Sequence, residues 1–595
     1  MSTQSYRPDI DGLRAIAVIS VLLYHLNEQF LSGGFVGVDV FFVISGYLIT
    51  RLIYKEYSAT GDFSYRNFYL RRVRRLFPAL FAVLLFSLVV GAKLFSPAHL
   101  VEMAESLIAA ILSLSNIYFW NTAGYFDSDS SLKPLLHTWS LSVEEQFYFI
   151  WPLVLVSLCA MGRKHAVPIF IVLMGLASLL LNVWVFAEQA TIASWFGQKD
   201  NQSAFDVHST AFYWLPFRVF EFALGAILVW TKTPDQTKSG WINEGLFLLG
   251  LAMVIYSVVA YTDAIEFPST AALLPCVGAS LMIYSGPSHR LTFLVSNRLM
   301  VGVGLISYSL YLIHWPMIVF YKYWRYVELG VVDYIVLGVS SVIVAYLMYR
   351  FIETPYRKPL PKVAGRAANK PFLLGALASA LIAVGVSAHA STSQGWLWRF
   401  PSDVVAQLKY KHGDYTEFFW KAISTYDARA FADNGNKKLL VIGDSMAADF
   451  INVLAAGDQL DKLDLSALKV GNNCKGVFSL TEKQYDVFFG GAKEVCQKEH
   501  QRLISSPLLA EADTIVLATY WWERNRLAMI QPTVDYIRAN TDSDVMVLGA
   551  KVQVSNGIWF LSKHSFSPSA IKAAPSVPDT GVSTAVGAWF ATPAL

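Results

Sequence analysis

An arginine and a histidine eleven residues apart, Arg14 and His25, stand in the first apolar run of this chain. A helix turning about 100° and rising 1.5 Å per residue puts both on nearly the same face, about 16 Å apart along its axis. Ionisable groups inside an apolar helix are expensive, so such a pair faces a bundle interior and serves function by default. Imidazole titrates near neutrality and suits a general base or a nucleophile. The plain readings are a snorkelling anchor for Arg14 and a hydrogen-bonded packing residue for His25. Asp9 and Asp11 flank Arg14, a Gly- and Phe-rich run at 33–50 contains Asp39, and Arg71, Arg72, Arg74 and Arg75 form a dense cationic cluster. Guanidinium forks bind phosphate oxygens bidentately, so the cluster suits a polyphosphate nucleotide such as coenzyme A. Its bland rival is a charge run that only sets topology.

A second candidate lies far downstream, where Leu439-Leu-Val-Ile-Gly-Asp-Ser445 reads as a buried strand delivering a serine to a tight turn before a helix. That geometry exposes a nucleophile above a sheet. Cys474 and Cys496 in the same region are compatible with a disulfide, worth about 3 kcal/mol for a loop of that size, or with two unpaired thiols. No Cys/His cluster has ligand spacing, so no metal is expected.

These residues need two kinds of scaffold. The chain has 595 residues, 54% of them apolar and only 15% charged, with a mean hydropathy of +0.42, which excludes an ordinary soluble globule. A net charge of +3 offers nothing to nucleic acid. Apolar runs approaching the roughly 20 residues of a membrane-spanning helix fall at 13–30, 34–54, 77–95, 146–160, 167–187, 215–231, 243–261, 270–285, 302–322, 332–352 and 372–390. A further apolar stretch occupies 104–118. The first run continues into the second without a small-residue cleavage site, so no cleavable signal peptide is expected. Arg51, Lys55, Arg66 and the arginine cluster follow the second run, and Arg350, Arg357, Lys358, Lys362 and Arg366 follow the tenth. A cytoplasmic N-terminus puts both groups inside, and Glu102, Glu105, Asp127, Asp129, Asp263 and Glu266 outside. Eleven spans then place the C-terminus outside. Beyond about 391, short apolar runs alternating with polar helical stretches indicate a soluble α/β domain.

The segments Arg7-Pro-Asp-Ile-Asp-Gly-Leu-Arg-Ala15, Gly37-Val-Asp-Val-Phe-Phe-Val-Ile-Ser-Gly-Tyr47, Arg71-Arg-Val-Arg-Arg75, His137-Thr-Trp-Ser-Leu-Ser-Val-Glu-Glu-Gln-Phe147, Ser307-Tyr-Ser-Leu-Tyr-Leu-Ile-His-Trp-Pro316 and Glu353-Thr-Pro355 together resemble the membrane acyltransferase-3 family. The resemblance covers about 6–360 and implies roughly ten membrane helices, a cytoplasmic acyl-CoA donor and an envelope-glycan acceptor on the far side. It puts the family's arginine and histidine at Arg14 and His25, and its paired arginines at Arg71/Arg74 or Arg72/Arg75, frames that spacing does not separate. Glu144 or Glu145, with Glu145 the first choice, is expected to orient the acceptor or share its proton. His314 and Trp315 are expected either to touch the acceptor or to belong to an interfacial aromatic belt.

The Gly-Asp-Ser triplet in its context resembles the SGNH hydrolase-like domain often fused behind such membrane domains. That implies Ser445 as nucleophile, with Gly471 and Asn472 or Asn473 as oxyanion donors. The late Asp-x-x-His motif of that family is missing after Ser445, leaving His500 and His564 without the expected spacing. Either the domain is incomplete or it works without the usual dyad.

The expected organisation is a membrane domain over 1–360, a linker with one more span over 361–400 and a periplasmic SGNH-like domain over 401–595. The expected activity is transfer of an acyl group, acetyl first, from acetyl-CoA to an envelope polysaccharide or lipid-linked glycan such as lipopolysaccharide O-antigen, by a multi-pass protein of the bacterial inner membrane. A proton-coupled carrier and a glycan-binding envelope scaffold are the competing classes.

Overall fold

The computed structural model describes residues 6–548 except 123–131, 163–164, 189–190, 193–197, 200–201, 204–205, 232–240, 263–264, 287–289, 326–328, 358–368, 401, 403–404, 406–419, 422, 433, 457–458, 472–473, 475, 490–492 and 520–526. Asp127, Asp129, Asp263, Asn472, Asn473, His564 and most of the basic connector before the last span therefore lie outside the described residues. The chain divides into two compact units, Met1–Leu397 and Trp398–Leu595.

The first unit is helical apart from a short antiparallel pair, Gln198–Lys199 with Gln202–Ser203. Its main helices are α1 (Pro8–Leu26), α2 (Gly37–Thr60), α3 (Tyr65–Leu94), α4 (Pro97–Ile111), α5 (Ser115–Thr122), α6 (Thr138–Ala160), α7 (Ala166–Ala187), α8 (Val207–Tyr213), α9 (Val219–Ile227), α10 (Trp241–Ala260), α11 (Leu273–Ser285), α12 (Arg298–Arg325), α13 (Val331–Met348) and α14 (Asn369–Thr392). Local sequence sets several of the ends. Proline occupies the first turn of α1 and of α4, where its missing N–H costs nothing. Ser64 caps α3 by accepting from the Asn67 amide, and Gly61, at φ 72°, closes α2 in the left-handed conformation.

Among the described residues, eight helices are long and apolar enough to cross a membrane, fewer than the eleven spans expected. The run at 215–231 arrives as the nine-residue α9 between two 3-10 turns, the first carrying Pro216, and 270–285 arrives as the thirteen-residue α11. The stretch 104–118 is divided between α4 and α5. Nineteen-residue α1 is absent from the eight, although most of it is buried, because Asp9, Asp11 and Arg14 dilute its apolar character.

Packing is tightest where side chains vanish. α1 lies along α12, and a Cβ on Gly304 would strike the carbonyl of Asp11. α2 lies along α9, where a Cβ on Gly225 would strike the carbonyl of Val43. Close backbone approach through small residues is how helices associate when lipid offers no hydrophobic contrast. An ion cluster locks the second pair: Arg218, 1% exposed, reaches Asp39 at 2.9 Å and Glu221 at 2.8 Å, donates to the Phe212 carbonyl, and lies over the rings of Trp139, Phe212 and Phe267. Asp39, Glu221 and Cys276 bring ligand-type atoms within 4.8 Å of one another, but the guanidinium between the two carboxylates opposes a metal cation.

In the second unit, parallel strands β1 (Lys437–Gly443), β2 (Leu463–Lys469), β3 (Thr514–Ala518) and β4 (Asp544–Val547) form one sheet in the order β2-β1-β3-β4. Helix α15 (Ser445–Ala456) connects β1 to β2, helices α16 (Glu482–Phe489) and α17 (Lys493–Ile504) lie between β2 and β3, and α18 (Leu527–Asn540) lies between β3 and β4. Continuous apolar strands buried on both faces are the mark of a helix-covered parallel sheet, and β3 is buried at all five positions. Cys474 and Cys496 are joined in a disulfide that ties the segment after β2 to α17.

Removing the cation from the Asp39–Arg218–Glu221 cluster strands two buried carboxylates, a change that typically costs about 3–5 kcal/mol. Arg218→Met should lower the thermal unfolding midpoint of the full-length chain in detergent, and adding Asp39→Asn and Glu221→Gln should recover most of the loss; an unchanged midpoint for Arg218→Met refutes this account.

Candidate active site

The pairing of α1 with α12 carries two histidines into contact. Nδ1 of His25, in the last turn of α1, lies 2.8 Å from Nε2 of His314, and the two rings stack with centroids 5.1 Å apart. Trp315 packs on His25 at 4.6 Å and is held by its indole N–H, which donates to the Lys133 carbonyl at 2.8 Å. His137, the residue before α6, brings a third imidazole to 5.9 Å from His314. His314 and His137 are buried, whereas His25 is partly exposed.

Arg14 lies at the opposite end of α1, paired with Asp11 at 3.0 Å. It lines a cavity of about 240 Å³ together with Arg51, Arg72 and Arg75. The Arg51 guanidinium donates to the Tyr47 hydroxyl, Arg72 lies 4.8 Å over the Tyr148 ring, and the buried Arg75 Nε has no hydrogen-bond partner. One carboxylate lines the same space: Glu144, which accepts from Ser45 and from the Tyr148 hydroxyl. Four cations facing one carboxylate give this space a net positive charge, which attracts anions, and desolvation there strengthens every charge-assisted bond.

The geometry separates the two arginine frames. Arg71 is exposed and reaches Glu56 at 3.3 Å, and Arg74 donates to the Tyr356 carbonyl and lies over Phe372. Arg72 and Arg75 turn to the cavity. Glu145, the carboxylate ranked first on sequence, lines a neighbouring void of about 30 Å³ with Ser113, Thr138 and Ser142, while Glu144 borders both spaces. A π-helical turn over Tyr349–Glu353 rotates Glu353 inward, where it accepts from Ser309 of α12 at 3.0 Å.

Tyr311 connects the two halves. Its ring lines the arginine cavity and lies 5.6 Å from those of both His137 and His314, and its hydroxyl bonds Ser140 at 2.7 Å and the His137 carbonyl at 3.0 Å. His25 is outside the cavity lining, beyond this floor. The sequence reading passed over Arg51 as a topogenic charge and His137 as part of a motif. Arg218 was available as a charge inside an apolar run, the usual signal of a buried partner.

In the second unit, Ser445 begins α15 directly after β1, with the Asp444 carboxylate accepting from the Met446 amide. The order β2-β1-β3-β4 reverses direction at β1 and β3, and ligands of doubly wound sheets bind beyond the strand C-termini at that crevice. Ser445 stands there. A Cβ on Gly443 would meet the Ala518 carbonyl, so glycine is what lets the ends of β1 and β3 close up. His500, the single described histidine of this unit, is fully buried, with Nδ1 2.9 Å from the Tyr485 hydroxyl and Nε2 2.7 Å from the Cys474 carbonyl. Both nitrogens are committed to the core. The Gly471 amide donates to Glu499 at 2.9 Å and is equally committed.

A family model described as an acyltransferase domain matches residues 7–350, more than half of the chain. A provisionally named O-acetyltransferase of Staphylococcus aureus (strain MSSA476) is 35% identical over 366 residues, covering 59% of this chain and 58% of that protein. The O-acetyltransferase OatA of Staphylococcus aureus (strain NCTC 8325 / PS 47) is 33% identical over 405 residues, covering 64% of this chain and 63% of that one. The similarity thus spans about three fifths of these relatives. No solved structure matches the chain.

If the cavity binds anions through its inward arginines, each of Arg72→Ala and Arg75→Ala should weaken pyrophosphate binding to the purified full-length chain by about tenfold or more, the worth of one charge-assisted bond. Arg71→Ala and Arg74→Ala should change it less than twofold by the same titration, and equal losses from all four contradict the assignment.

Proposed function

From the premise that this chain belongs to the acyltransferase-3 family, we propose that it transfers an acetyl group from acetyl-CoA to a hydroxyl of a cell-envelope polysaccharide, lipopolysaccharide O-antigen being the first acceptor to examine. The observation that carries this reading is the convergence of Arg14, Arg51, Arg72 and Arg75 on one cavity whose inner floor, Tyr311, is in ring contact with the histidine cluster. Both relatives named above carry the name O-acetyltransferase.

On this reading the donor's phosphates dock on Arg72 and Arg75, with Arg14 and Arg51 completing the cationic wall. Glu144 is the carboxylate within reach of that end of the cavity, and Glu145 supports it from the adjoining void. The thioester arm passes the Tyr311–Ser140 floor to reach His25. His25 then takes the proton of the acceptor hydroxyl as the oxygen attacks the thioester carbonyl. The C–S bond breaks, and the departing thiolate recovers the proton from His25. The mechanism asks for no metal.

The protein is read as a multi-pass inner-membrane protein with a cytoplasmic N-terminus, in line with the placement of its basic loops. The second unit is read as an SGNH-like domain on the periplasmic side. The Cys474–Cys496 disulfide suits that oxidising compartment, and the place of Ser445 at the switch point supports a second transfer, in which its hydroxyl takes the acetyl from the ester formed at His25, frees that first acceptor's hydroxyl and then gives the acetyl up to a glycan hydroxyl.

Mass spectrometry of surface polysaccharide from cells with matched membrane levels of each variant tests this. His25→Ala should lower the O-acetyl ester a hundredfold or more, the span of general-base catalysis. Ser445→Ala should lower it as well if the two units act in series. Full acetylation by His25→Ala overturns the catalytic reading in favour of a carrier or scaffold, and loss confined to His25→Ala removes Ser445 from the pathway.

A further inference from the structure

Proton accounting at the contact between α1 and α12 says more about His25 than its position does. Nδ1 of His314 lies 2.8 Å from the Tyr311 carbonyl and 3.0 Å from the Leu310 carbonyl. A carbonyl oxygen only accepts, so this Nδ1 carries a hydrogen. In neutral His314 the other nitrogen, Nε2, is then a lone pair. It faces His25 Nδ1 at 2.8 Å, so His25 Nδ1 is the donor. In neutral His25 that leaves the lone pair on Nε2. Among the described residues no carboxylate bonds either ring, and the rings of Trp315 at 4.6 Å and Tyr24 at 5.5 Å restrict rotation of His25.

We infer that His314 is a positioning residue that holds His25 in the tautomer whose Nε2 lone pair is free to take the acceptor's proton. The inference rests on the reading of His25 as the general base. It assigns to a neutral imidazole, anchored on helix carbonyls, the orienting work that a carboxylate performs beside the histidine of a serine-protease triad. When His25 gains the acceptor's proton on Nε2, its Nδ1–H bond to His314 is already in place and becomes charge-assisted. Nothing has to rotate. The chain ends on amide carbonyls, which do not take up a proton, so His314 orients His25 and relays nothing. His137 stands outside this chain. Its ring lies by the Leu312 carbonyl, the group that Pro316 deprives of its helical N–H partner.

The test uses the full-length chain carrying His314→Ala, His314→Gln or His25→Ala. The readouts are polysaccharide O-acetyl ester in cells with matched membrane levels and acetyl-CoA affinity by isothermal titration of the purified protein. His314→Ala should lower the ester about 10–100-fold, the usual loss when an orienting partner is removed. Its acetyl-CoA Kd should stay within twofold of wild type. His314→Gln, whose amide oxygen can accept from His25 Nδ1, should recover at least a threefold share of the loss. Ester within twofold of wild type in His314→Ala overturns the inference, as does a Gln variant no better than Ala, or a loss of acetyl-CoA binding that marks His314 as merely structural. His25→Ala separates the levels: its full activity sinks the proposed function itself, whereas its inactivity beside an active His314→Ala sinks only the positioning role.

Discussion

The closeness of α1 to α12 governs the membrane unit. Gly304 has no room for a Cβ against the Asp11 carbonyl, and farther along the two helices His25 meets His314. One end presents Arg14 beside its Asp11 partner; the other presents His25 against His314. In an apolar medium such a contact is held by backbone proximity, shape and polar bonds, because exchanging lipid for an apolar side chain offers little driving force.

Charge is the second organising principle. Arg218 spends its cation between two buried carboxylates and three aromatic rings, holding α9 to α2 and leaving nothing for a ligand. Arg72 and Arg75 are treated in the opposite way. They face a cavity in which the charges of four arginines exceed that of the lining carboxylate, although Asp11 outside that lining pairs with Arg14. Arg71 and Arg74, one and two residues from Arg72, are satisfied elsewhere by Glu56 and by the Tyr356 carbonyl. Helical periodicity thus divides one dense basic run into a half that faces the cavity and a half that does not.

The second unit shows the same economy with histidine. His500 lies within the right domain for a serine nucleophile, yet its two nitrogens are used by Tyr485 and Cys474, next to the disulfide. It is a core residue. The sheet nonetheless directs Ser445 to the crevice where its strand order reverses.

Much of this could be read without coordinates. Most of the long apolar runs formed helices long enough to span, because every backbone N–H and C=O in lipid must be satisfied within the segment, and the apolar strand before Ser445 required a buried sheet. The eleven-residue interval from Arg14 to His25 likewise placed both on one face, since helix geometry is local. Several details depended on contacts between residues far apart in sequence. Spacing gave Arg71/Arg74 and Arg72/Arg75 equal claims, and only the packing of α3 against its neighbours turned one pair inward. Glu144 and Glu145 are adjacent in sequence but border different spaces, a distinction set by the rotation of α6. The runs at 215–231 and 270–285 were apolar enough to count as spans, yet a proline-bearing turn and close helix packing shortened them. His314 meets His25 across 289 residues of chain, and no local pattern carries that information, because the contact exists only once α1 and α12 lie side by side.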